Sequence, residues 1–307
     1  MSRRAWALFV AMSALWGLPY LLIKVAVAEL DPTVLVFVRL AMAAVVLAPL
    51  AIATGSLSNV RARWRRLVLI ALGGIVAPFL LIAYGEQHIT SSLAALLVAS
   101  DPLFVVLIAL PLDASERPNG TRLAGLLIGF VGVAILLGVN VGGDAMGALG
   151  AGMVLLAAVC YAMSALLVKG LRGVPLLGSV TVTLGIAAIV LAPPALLSLP
   201  SSMPGPAVTA SVLVLGLIST ALAYVLYFSL IAETGATRAS IITYINPAVA
   251  VVLGAVVLAE PLTVGSILGL GLIVLGCALT TGLLRGPRRA ARPRRISSAE
   301  LAEGDVS

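Results

Sequence analysis

The chain has 307 residues, 61% of them hydrophobic and 10% charged, with mean hydropathy +1.18 and a formal net charge of +7. A soluble domain carries about a quarter charged residues, so this composition excludes a body whose whole surface faces water. Two cysteines and one histidine, far apart in apolar sequence, exclude a disulfide framework and a metal site.

A helix needs about 20 apolar residues to cross the hydrocarbon core, and by that rule ten spans follow one another. The first, 5–28, is too long for a cleavable signal and reads as a spanning helix that also targets the chain. Asp31-Pro32 opens the second, 33–53, which holds Arg39, and Thr54-Gly55-Ser56 closes it. The third, 67–87, ends at a short turn of Glu86, Gln87, His88 and Thr90, and the fourth, 91–111, contains Asp101-Pro102. Pro118-Asn119-Gly120 precedes the fifth, 121–139, and Gly142-Gly143-Asp144 the sixth, 147–168. The seventh, 176–198, and eighth, 207–230, are parted by Pro204-Gly205-Pro206; the ninth, 237–258, and tenth, 263–284, by Glu260-Pro261. A basic, then acidic, tail follows over 287–307 and reads as disordered and cytoplasmic. Its arginines suit anionic headgroups as a topology anchor better than nucleic acid.

The distribution of lysine and arginine tests this division. With the N-terminus in the cytoplasm, 17 of the 19 basic residues fall in cytoplasmic segments. The other two, Lys24 and Arg39, lie within spans away from their cytoplasmic ends, so the outer loops have none. The positive-inside rule therefore favours ten helices with both termini in the cytoplasm.

The chain also repeats itself at an interval of about 145 residues. Trp16-Gly-Leu-Pro-Tyr-Leu-Leu-Ile-Lys24 matches Tyr161-Ala-Met-Ser-Ala-Leu-Leu-Val-Lys169, and Val46-Leu-Ala-Pro49 matches Val190-Leu-Ala-Pro193. Asp101-Pro102 matches Asn246-Pro247, and Glu116 stands before Gly125 as Glu260 stands before Gly269. Five spans per half is an odd number, so the second half inserts upside down. The expected units are a first five-helix repeat over 1–140, an inverted second over 141–286, and the tail. Inverted repeats suit alternating access, because exchanging the conformations of the halves turns an inward-open state outward.

These residues resemble the EamA-type family of the drug/metabolite transporter superfamily. The resemblance rests on Ala14-Leu-Trp16-Gly17, Arg39, Ile245-Asn246-Pro247-Ala248, and Val257-Leu-Ala-Glu260-Pro-Leu-Thr263 followed by Gly269 and Gly276. It implies an all-α integral membrane protein of ten helices around a central cavity, exporting amino acids, related metabolites or toxic compounds. The plasma (inner) membrane is the expected location, and a small molecule and the lipid bilayer are the expected partners. Drug or cation efflux is the second reading, a passive channel or lipid flippase a third. No motif for catalysis, phosphate binding or a cofactor is found, so the chain reads as no enzyme.

Asp101 is the leading candidate for binding a proton or a substrate ammonium, since a carboxylate in mid-span must face protein or a wet cavity. The alternative is a buried ion pair with Arg39 or Lys24. Pro102 beside it, and Pro247 in the second half, remove backbone donors and predict helix kinks. Arg39 can take a substrate carboxylate through two parallel hydrogen bonds or serve packing. Lys24 reads as structural, snorkelling to the headgroups.

Among the aromatics Trp16, Tyr20, Tyr84, Tyr161, Tyr224, Tyr227 and Tyr244, the first choices for contacting substrate are Trp16, Tyr84 and Tyr161, with Asn246. Glu116 and Glu260 each read as capping the helix that follows. Small-xxx-small spacings of Gly125, Gly129, Gly132, Gly265, Gly269 and Gly276 allow close helix contact within the chain or in a homodimer. Cys160 and Cys277 read as small core residues.

Overall fold

The structure is a computed structural model and describes residues 2–109, 120–141, 143–171 and 173–281. Among the described residues every regular element is helical. Nine of the helices are long and apolar enough to cross a membrane. These are α1 (Arg3–Ala26), α2 (Pro32–Ala53), α3 (Arg61–Gly85), α4 (Ser91–Ala109), α5 (Gly120–Val141), α6 (Ala145–Val168), α7 (Leu176–Leu197), α8 (Pro206–Thr234) and α10 (Val264–Thr281). The remaining span, α9 (Ile242–Val257), is a shorter apolar helix. A single helical turn, Ala236–Ala239, precedes it, where the sequence predicts the span already under way. Glu116 and the tail lie outside the described residues.

Local chemistry sets the helix starts. Asp31 accepts from the Thr33 amide at 2.8 Å with Pro32 in the first turn, where a missing N–H costs nothing. Thr90 caps α4 through the Leu93 amide, and Asp144 caps α6 through the Met146 and Gly147 amides. Gly235 ends α8 with φ at 82°, a conformation that side chains resist. Large apolar side chains face outward: Val45, Ile189 and Val256 are 72%, 73% and 77% exposed. With ten helices this outer surface suits lipid and not water.

The two five-helix halves are interleaved. α1 packs on α8 and α9 of the other half, and α6, its counterpart, packs on α3 and α4. α2 pairs with α7, and α5 with α10. The α5–α10 seam is made by glycine: a Cβ on Gly125 would stand 2.8 Å from the Gly276 carbonyl oxygen. One on Gly132 would stand 2.8 Å from the Gly269 carbonyl oxygen. The small-residue spacing therefore serves contact within the chain, and gives no support to the homodimer expected as its alternative.

Two helices depart from regularity at matching places. α3 widens to a π-helix over Leu72–Val76, and α8 does so over Val214–Leu222. α4 is broken at Ala99 and Ser100, just before Asp101-Pro102. Pro102 has no N–H to offer, and the Ala99 carbonyl is met by the Cys277 thiol at 3.7 Å. Cys277 is thus a buried core residue with a bond to the break, whereas Cys160 is only partly buried. α9 runs through Pro247 without a break.

Candidate functional site

Let the lower end of the bundle be the one where the chain begins, and the upper end the one where α1 and α3 finish. Midway between them, α1, α2, α3, α4, α6, α8 and α9 surround a cavity of about 350 Å³. Trp16, Tyr20 and Ile23 enter it from one stripe of α1, at spacings of four and three residues. Arg39 comes from α2, Phe79 from α3, Asp101 from α4, Tyr161 from α6, Ser219, Thr220 and Tyr224 from α8, and Asn246 from α9. Both halves therefore supply the wall.

Arg39 is 8% exposed. Its Nε donates to Thr220 Oγ1 at 2.9 Å, and its guanidinium lies 4.5 Å from the centre of the Phe79 ring. The Thr220 hydroxyl in turn donates to the Leu215 carbonyl at 2.7 Å, a carbonyl five residues back in the π-helical stretch. The π segment thus presents a hydroxyl that aims the arginine. Among the described residues the Nη groups make no hydrogen bond and form no ion pair.

A carboxyl is present at the same cavity, also without an ion-pair partner among the described residues. Asp101 opens the lower half of α4, and its buried Oδ1 has no hydrogen-bond partner among the described residues. Neither ion pair expected from the sequence forms: Arg39 is held by Thr220, and the Lys24 amine donates to the Glu86 and Ile89 carbonyls at 2.5 and 2.8 Å. Lys24 therefore turns inward onto the α3–α4 turn and does not snorkel to the headgroups. Asn246 Oδ1 and Ser219 Oγ are also buried without partners. Unpaired buried polar atoms are costly, and all three belong to residues that line this one cavity.

Aromatic rings form the α1–α8 side. Trp16 lies 4.7 Å from Tyr227 and 6.0 Å from Tyr224, and Tyr224 stacks on Phe228 at 6.0 Å. Tyr84, chosen from sequence with Trp16 and Tyr161, is not at the cavity. Its hydroxyl pairs with Thr33 Oγ1 at 2.9 Å, at the upper end. Tyr20, Ser219, Thr220 and Tyr224 are the wall residues that the first choices missed. The helical spacing from Trp16 to Tyr20 and the Ser-Thr pair inside apolar α8 were the signals for them.

Asp101 also borders a second cavity of about 230 Å³ toward the lower end, with Pro102, Val105 and Val106 of α4, Tyr244 of α9 and Thr281 of α10. At the upper end, polar bonds tie the halves together. Glu260 accepts from the amides of Ser91 and Ser92 at 2.8 and 2.9 Å, and from their hydroxyls at 2.9 and 2.5 Å. Glu29 accepts from the Gly205 amide at 2.7 Å.

The role of Glu260 is a correction to the sequence reading. It caps α4 of the other half and not the helix that it precedes; α10 is capped by Thr263, which accepts from the Ser266 amide at 3.0 Å. Ala259, at φ 52°, turns the chain so that Glu260 points across. Gly254 admits it, since a Cβ there would meet the Glu260 carboxylate and the hydroxyl of Ser92.

The profile of the EamA-like transporter family matches this chain twice, over residues 4–138 and 148–282. An uncharacterized transporter of Archaeoglobus fulgidus is 26% identical over 283 residues, covering 89% of this chain and 97% of that protein. A probable terminal-alkyne amino-acid exporter of Streptantibioticus cattleyicolor is 30% identical over 302 residues, covering 95% and 97%. The uncharacterized inner membrane transporter YedA of Escherichia coli K12 is 28% identical over 295 residues, covering 90% and 89%. A solved crystal structure shares the fold with a TM-score of 0.66 over 92% of this chain and 98% of the other, at 22% identity.

Proposed function

Because this chain belongs to the EamA-like transporter family, we propose that it exports amino acids or closely related zwitterionic metabolites across the plasma membrane in exchange for protons. The carrying observation is the central cavity, where the Arg39 guanidinium and the unpaired Asp101, Asn246 and Ser219 face one space. The guanidinium receives the substrate carboxylate, and Asp101 and Asn246 receive the ammonium. The aromatic side at Trp16 and Tyr224 takes the side chain. An amino acid so held supplies the partners that these buried groups lack.

Export agrees with the exporter named among the relatives. Proton exchange rests on Asp101, a carboxyl that no cation neutralises among the described residues. The distribution of lysine and arginine supports a cytoplasmic location for both termini. The lower end is then the cytoplasmic one, and the second cavity leads from Asp101 toward the cytoplasm. The two homologous repeats, 1–140 and 141–286, exchange conformations to move the site between faces.

Mass spectrometry of the medium from cells expressing the chain, against an Asp101→Asn control, tests this. The expected result is an amino acid or a relative accumulating outside only with the unaltered protein. Absence of any such metabolite, with the protein present in the membrane, would sink the reading. The aromatic cluster of Trp16, Tyr224 and Tyr227 favours a second cargo, a hydrophobic cation. Efflux of a cationic dye without amino-acid export would install it.

A further inference from the structure

The turn between α3 and α4 buries a carboxyl that substrate binding does not use. Glu86 is 0% exposed, and neither carboxylate oxygen has a hydrogen-bond partner among the described residues. Lys24 lies beside it, yet its amine is bonded to main-chain carbonyls, one of them that of Glu86 itself. Glu260, the neighbouring acid, is fully engaged by the start of α4. The charged groups that face Glu86 are Lys24 on α1, Glu260 on the α9–α10 connection and Arg39 on α2, and the Tyr20 phenol of α1 is also within its field. His88 follows in the same turn.

An ionised carboxylate in such a place lacks both water and hydrogen bonds, so burial raises the Glu86 pKa and favours the neutral acid, against the pull of Lys24. Arg39 and Tyr20 line the central cavity. Glu86 itself lies one helical turn above Ile82, which lines that cavity and whose carbonyl accepts from the Glu86 amide at 2.8 Å, while Asp101 borders the second cavity toward the lower side. Lys24 offers a positive charge within reach whenever Glu86 loses its proton.

We infer that Glu86 is a proton-carrying site of the transport cycle, which takes a proton from water at the upper face and stands across the central cavity from Asp101, which releases one toward the lower face. The inference rests on the proton-exchange reading and adds a second station to it. In the upward-open state a hydronium ion gives its proton to a Glu86 carboxylate oxygen and leaves as water; in the downward-open state Glu86 gives that proton to a water in the central cavity, which leaves toward the lower face as hydronium. Separation of the halves at the Glu260 clasp admits that water.

Infrared difference spectroscopy on the full chain in lipid nanodiscs reads the protonation directly. A protonated-carboxyl band is expected at neutral pH, lost in Glu86→Gln and retained in Asp101→Asn. Proteoliposomes supplied with the twenty amino acids in ¹³C-labelled form read the coupling. Glu86→Gln is expected to lower pH-gradient-driven transport by about tenfold or more while exchange at equal pH stays within about twofold. Recovery of the gradient response in Glu86→Asp separates loss of titration from misfolding.

An unchanged carboxyl band in Glu86→Gln overturns the inference. So does an intact gradient response in that variant when the wild type responds. A wild type that exchanges amino acids but ignores the pH gradient sinks the proton-exchange reading first, and this inference with it.

Discussion

Arg39 of the first repeat and Thr220 of the second share a hydrogen bond of 2.9 Å from Nε to Oγ1. One hydroxyl therefore joins the halves at the cavity wall and fixes the direction of the guanidinium. Thr220→Val keeps the volume and leaves Nε without its acceptor. A lost hydrogen bond to a charged group is worth about 1.5–3 kcal/mol. Export rate is expected to fall about tenfold or more, with the protein still in the membrane. Arg39→Lys should lose more, because an ammonium cannot offer two parallel donors. Initial rates of export at matched expression check both.

Asp101→Asn keeps a polar group of the same size and removes the titration. Exchange of labelled amino acid across proteoliposomes at equal pH is expected to continue, and its response to a pH gradient to vanish. Full gradient dependence in the variant would make Asp101 a packing residue.

The Glu260 clasp makes four bonds to the start of the opposite repeat's α4, two from amides and two from hydroxyls. Glu260→Ala strands two amides at a buried helix start. A lost cap costs about 0.5–2 kcal/mol, and a charged one lies toward the high side. A fall of several degrees in the melting temperature is expected, with Glu260→Gln intermediate because one acceptor remains. Tryptophan fluorescence on heating the purified protein measures it.

Gly276 and Gly271 share α10 and predict opposite outcomes. A Cβ on Gly276 would stand 2.6 Å from the Cα of Gly129, whereas one on Gly271 meets nothing within 4 Å. Gly276→Ala is expected to cost about 1–3 kcal/mol by overpacking against backbone that cannot rotate aside. Gly271→Ala should be neutral or slightly stabilising. Melting temperatures of the two variants decide it.

The spans were legible because apolar length and the placement of lysine and arginine are local properties of sequence. The glycine seam was legible too, since its spacing is helical. What Glu260 touches was not, because a left-handed Ala259 and a partner about 170 residues away decide it. The π-helical stretches leave no pattern in side-chain type, yet one of them sets Thr220 against Arg39. Five of the six substrate candidates meet at one cavity; Tyr84 does not, because its helix phase and depth carry it to Thr33. Tyr20 could have replaced it, being one helical turn beyond Trp16 on the same stripe.

The crossing of α1 onto α8 and α9, and of α6 onto α3 and α4, also governs how the molecule is made. In the finished fold this crossing face of α1 is covered by α8 and α9, which are synthesised after the whole first repeat. Its native cover is therefore complete only after more than two hundred residues have been synthesised. Neither repeat is then a free-standing unit, although each is copied whole from the same pattern. Fragments divided between α5 and α6 are expected to restore transport only when produced together. A gene encoding one half alone would yield a protein missing part of every wall.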